Sequence, residues 1–79
     1  MNQDLINKAI ARAKDGRINL GCANGWLNET NDIYRELRDH MVAGTATSEN
    51  LGRCYNEYTF GVELNGSSYT VVYSVDSSD

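Results

Sequence analysis

Cys22, Cys54 and His40 are the only side chains in the sequence that could serve as soft metal ligands or as a nucleophile with its base. A structural zinc site takes four ligands and usually contains a close cysteine pair. Here the two cysteines are far apart and the candidate ligands number three, so no metal and no cofactor is expected. A Cys–His dyad would need contact between the two side chains, a third orienting group and an oxyanion hole. Asp39 adjoins His40, but neighbours on a helix point about 100° apart. His40 is better read as a solvated helix residue with Glu36 one turn before it, and the cysteines as small apolar packing groups. No phosphate-binding loop, dinucleotide fingerprint or zinc-protease motif occurs. No catalytic residue is assigned. An enzyme built on Cys22 or Cys54 is the least favoured reading.

Carboxylates and tyrosines offer a different chemistry, that of a recognition surface. The chain has 79 residues, with 7 Lys or Arg against 11 Asp or Glu and a net charge of −4. All the basic residues precede position 54 and are balanced there by as many acids. The remainder carries Glu57, Glu63, Asp76 and Asp79 with no Lys or Arg. Direct binding to nucleic-acid phosphates requires clustered cations, so it is not expected. An acidic face favours a basic partner. Tyrosine is rigid and amphipathic and therefore common at recognition surfaces, and four of the five tyrosines lie between positions 55 and 73.

The elements that must position these residues follow from periodicity. Leu5, Ile6, Ala9, Ile10 and Ala13 form one apolar stripe, which predicts a helix over 3–14 with Asn2 as N-cap and Gly16 as the residue that stops it. Ile33, Tyr34, Leu37 and Met41 predict a second helix over 29–43, ended by Gly44. Between them, Ile18, Leu20 and Cys22 alternate, which permits a short extra strand at 17–22. Gly21, Asn24 and Gly25 favour an irregular segment there that inserts Trp26 and Leu27 into the core. Residues 45–52 are small and polar, with room for one helical turn at Ser48–Leu51.

The C-terminal third has the clearest pattern. Tyr58, Phe60, Val62 and Leu64 alternate with polar residues, as do Tyr69, Val71, Tyr73 and Val75. Asn65-Gly66 between the two runs marks a β-hairpin. A two-residue turn pairs Val62 with Tyr69 and Tyr58 with Tyr73. A four-residue turn pairs Val62 with Val71 and keeps the same face, so parity leaves both registers open. Tyr55 has the opposite parity. It joins Glu57, Glu63 and Asp76 on the outer face, with carboxylates spaced in ~7 Å steps along a strand. These four residues are the expected partner contacts. Asp32, Glu36 and Asp39 of the second helix form an alternative surface.

The expected architecture is one α+β domain over 1–79, with two amphipathic helices packed on a C-terminal antiparallel hairpin in the order ααββ. A two-stranded sheet is marginal alone, and residues 54–76 contain no Lys or Pro to blunt an edge. A homodimer formed edge to edge through the hairpin is the second functional reading. No apolar run reaches the ~18 residues of a membrane span, and the first residues lack a secretory pattern. The expected location is the cytoplasm, where the two thiols would stay reduced, although a single disulfide is compatible with the sequence.

In size, charge and its acidic Glu57/Glu63/Asp76 region, the chain resembles the small acidic proteins of phages and mobile elements, including anti-CRISPR proteins. The resemblance implies a non-enzymatic inhibitor that works in the cytoplasm of the host cell. It would block a basic nucleic-acid-binding surface on a larger protein complex.

Overall fold

The computed structural model describes residues 3–23, 25–26, 28–52 and 54–76. The expected cap Asn2, the core placement of Leu27, Asn24 in the loop, and the charges of Arg53 and Asp79 lie outside the described residues. The elements run α1 (Gln3–Ala11), β1 (Ala13–Lys14), β2 (Arg17–Cys22), α2 (Asn28–Asp39), β3 (Thr47–Gly52), β4 (Tyr55–Leu64) and β5 (Ser67–Asp76). The strands form one five-stranded sheet in the order β1-β2-β5-β4-β3. It is mixed, because β2 runs parallel to β5 while the other neighbours are antiparallel. The fold is therefore α+β, but the two-helix-plus-hairpin arrangement is incorrect. Three further strands flank the hairpin and carry the sheet well beyond it.

Local chemistry accounts for each departure. The first helix stops at Ala11 rather than 14, because Ala13 and Lys14 pair with Ile18 and Arg17. Asp15 and Gly16 both have positive φ, 54° and 78°, so they make the two-residue turn of a second, very short hairpin rather than a helix stop. The Gly16 carbonyl accepts the Thr70 N–H at 2.9 Å, which pins this hairpin to β5. β2 fills 17–22 and is irregular after Asn19, whose side-chain oxygen accepts the Gly21 N–H at 2.8 Å. α2 ends at Asp39 rather than 43. His40 and Met41 make a tighter last turn, and the Val42 N–H then donates to the Gly61 carbonyl at 2.8 Å. Residues 47–52 form the outermost strand instead of a helical turn, and all six are exposed.

The central hairpin has the two-residue turn. Asn65 and Gly66 have φ of 51° and 84°, and Leu64 pairs with Ser67, Val62 with Tyr69, Phe60 with Val71 and Tyr58 with Tyr73. Both long edges of this hairpin are occupied within the chain, β4 by β3 and β5 by β2. β3 pairs with residues 55–59 of β4 and β2 with residues 70–74 of β5, so neither edge is open along its whole length, and the long free edge is that of β3.

One face of the sheet is covered. Ile6 and Ala9 of α1 and Ile33 and Leu37 of α2 pack on Ile18, Leu20, Phe60, Val62, Leu64 and Val71. Beside this core sits an aromatic group. Tyr58 stacks on its cross-strand partner Tyr73 at 5.3 Å, and Tyr34 and Trp26 close on Tyr73 at 5.1 and 5.8 Å. No described helix is long and apolar enough to cross a membrane.

Candidate functional site

The other face of the sheet carries no helix among the described residues, and strand register decides what it shows. Antiparallel partners point to the same side with Cβ atoms about 5 Å apart. Tyr55 lies opposite Asp76, Glu57 opposite Ser74, and Glu63 opposite Ser68. The four expected hairpin contacts thus share this outer face. Glu63 stands six residues along β4 from Glu57, or about 20 Å, so the residues form a strip rather than a cluster. Tyr55 turns its phenol back over the sheet and donates to Ser74 Oγ at 2.9 Å, which leaves the residue 38% exposed and Ser74 buried.

The sheet adds residues that the sequence pattern did not single out. β3 places Glu49 directly opposite Glu57. At the opposite margin β1 places Lys14 directly opposite Arg17. Neither pair has an ion-pair partner among the described residues. Like charges facing each other across a ladder oppose folding, and the outer face holds two such pairs of opposite sign. Between them runs a trough floored by Val72, which is only 6% exposed. Its larger part has a volume of about 460 Å³ and is lined by Arg12, Lys14, Asp15, Arg17, Asn19 and Glu57. Its smaller part, about 190 Å³, continues past Glu57 to Tyr55, Ser74 and Cys22. Arg12 also reaches α2, donating to Thr30 Oγ1 at 3.3 Å and lying 3.8 Å from Glu29.

The alternative carboxylates lie on the helix side of the molecule. Asp32 is 3.9 Å from Arg35. Glu36 is 3.1 Å from His40 Nε2, and both side chains are largely buried, at 14% and 19% exposed. His40 is therefore packed rather than solvated, and Glu36 is committed to it. Asp39 remains on the surface. The structure does not join these residues to the Glu57 strip. No disulfide links Cys22 and Cys54. Among the described residues, no group of three or more His, Cys, Asp and Glu side chains is placed to hold a metal ion.

No protein-family model matches the chain, and neither the curated proteins nor the solved structures compared with it contain a match.

Proposed function

We propose that this is a non-enzymatic binding protein of the inhibitor type known among anti-CRISPR proteins. In this reading it lays the acidic and aromatic side of its outer sheet face on a basic, nucleic-acid-binding surface of a larger complex. The observation that carries the reading is the facing pair Glu49 and Glu57, two carboxylates side by side beside Tyr55 with no ion-pair partner among the described residues. A cationic partner surface would relieve their repulsion on binding. Asp76 extends the acidic patch past Tyr55, and Glu63 lies at the far end of the strip. Lys14 and Arg17, at the other margin, would repel a basic partner and so orient it toward β3 and β4.

Affinity capture of the tagged protein from bacterial lysate at about 0.1 M salt, where exposed charges act over about 10 Å, tests this reading. Wild-type protein should retain a nucleic-acid-processing complex. The double substitution Glu57→Lys and Glu63→Lys should lose it, and unchanged retention by the variant would refute the assignment.

Self-association is the second reading, moved from the hairpin to β3. All six β3 residues are exposed, none is Lys or Pro, and Leu51 is 50% exposed. Such an edge is unprotected against pairing. Light scattering across a hundredfold concentration range separates the two readings, because edge pairing makes both mass and thermal stability rise with concentration.

A further inference from the structure

We propose that the cleft between the C-terminal end of α2 and the β3–β4 pair binds a planar aromatic ring that carries an acidic group. The cleft is on the helix side of the sheet and is independent of the outer-face strip. It arises because the helices cover β2, β5 and β4 but do not reach β3, so the aromatic end of the core opens at that margin. Its volume is about 280 Å³, and Tyr34, Arg38, Met41, Tyr58, Phe60 and Tyr73 line it. That is just below the usual range for small-molecule sites and suits a single ring with a short substituent.

The walls fit such a ring. Tyr58 and Tyr73 are nearly parallel, 19° apart, while Tyr34 stands at 69° to Tyr73. A ring entering the cleft therefore meets both a face and an edge, the two favourable aromatic geometries. Tyr and Met flank one another at the opening, where Met41 is 41% exposed. The Tyr58 hydroxyl has no hydrogen-bond partner among the described residues. Burial first, and then the hydrogen bond with Tyr34, pushes the Tyr73 phenol up to about 12.

The charge in the cleft points to an acid. Arg38 lies over the Tyr34 ring, 5.7 Å from its centroid, and has no ion pair among the described residues. The adjoining surface cleft is lined by Arg35, Arg38, Asp39 and Met41, two guanidiniums to one carboxylate. Arg35 is also drawn toward Asp32, which leaves Arg38 as the available fork for a carboxylate.

Trp26, the one tryptophan of the chain, packs 5.2 Å from Tyr34 and 5.8 Å from Tyr73 and reports on the site. The whole chain is titrated with phenylacetate, following Trp26 fluorescence and NMR shifts. Saturable binding near a dissociation constant of about 1 mM is expected, with shifts centred on Tyr34, Arg38, Met41 and Tyr58. Phenylacetamide and acetate should each bind at least fivefold more weakly. Arg38→Gln, at an exposed position, should weaken phenylacetate about fivefold and leave phenylacetamide unchanged. Tyr58→Leu should weaken both ring compounds. A capped Asp-Phe dipeptide that binds tenfold tighter at the same residues would assign the ring to a partner's side chain. Equal or weaker binding there would assign it to a free aromatic acid. Absence of saturation, equal binding of phenylacetamide, or shifts centred instead on Lys14 and Arg17 would overturn the proposal.

Discussion

The hydroxyls of Tyr34 and Tyr73 meet at 3.4 Å, a helix residue and a strand residue joined across the layer boundary. Tyr73 is surrounded by Tyr34, Tyr58, Phe60 and Trp26. Burial, then the bond with Tyr34, raises its pKa from 10.0 to about 12.

This shift has a definite consequence for stability. Between pH 10 and 12 the unfolded chain has released the Tyr73 proton and the folded chain still holds it. Stability from this group is therefore complete below pH 10 and declines as pH rises toward 12. Urea unfolding midpoints should fall over that window. Tyr73→Phe should remove this residue's share of the decline and eliminate a late step from the phenolate absorbance titration. An unchanged slope in the variant would refute the assignment to Tyr73.

The facing like-charge pairs on the outer sheet face make a second prediction. Converting either pair into an opposite pair should stabilise the isolated protein. Glu49→Lys opposite Glu57, or Lys14→Glu opposite Arg17, should each raise stability by about 0.5 kcal/mol, with the gain shrinking in high salt. Thermal unfolding in low and high salt measures both. Under the proposed function, Glu49→Lys would also weaken capture of the partner while raising the melting temperature. A general folding defect would lower both.

How far the sequence could reveal these relationships depended on burial. The α1 and α2 stripes and the β4–β5 alternation were visible because each has one buried face, and burial imposes a period. The two-residue register became definite only with positive φ at both Asn65 and Gly66. β3 has no buried residue, so nothing forces its Thr, Ser, Glu and Asn to alternate, and Glu49 could not be placed beside Glu57. β1 is two residues long, too short for any period, and Asp15-Gly16 reads equally well as the end of a helix. The β2–β5 pairing joins positions about 50 residues apart and leaves no local mark. The acidic strip on the hairpin was therefore legible by parity, while the cations facing across β1 and β2 were not.

Trp26 supplies a third prediction. Its Nε1–H is buried with no acceptor among the described residues, although its ring packs on Tyr34 and Tyr73. Leaving a buried donor unsatisfied costs about 1–3 kcal/mol. Trp26→Phe removes that donor and keeps most of the ring contact, so the gain offsets the loss of volume. Its stability should lie within about 1 kcal/mol of wild type, whereas Trp26→Ala should lose about 3 kcal/mol. Equal losses in the two variants would mean that ring size alone matters and that the unpaired indole carries no penalty.

Thr45 makes the most specific prediction about the free edge. Its hydroxyl donates to the Val42 carbonyl at 2.6 Å and accepts the Gly61 N–H at 2.9 Å. One side chain thus straps the loop after α2 onto β4 just where β3 stops pairing. A Cβ added at Gly61 would lie 3.3 Å from the Thr45 hydroxyl oxygen, so Gly61→Ala must push Thr45 away to fit. Thr45→Ala and Gly61→Ala should each cost about 1 kcal/mol. Because both act through the same hydrogen bond, the double variant should cost less than the sum of the two. Hydrogen exchange at the Gly61 amide should speed up in Thr45→Ala, while the β4–β5 amides facing away from the loop keep their protection. Thr45→Ser retains the hydroxyl and should restore slow exchange at Gly61. If it fails to do so, methyl packing rather than the hydrogen bond holds the strap.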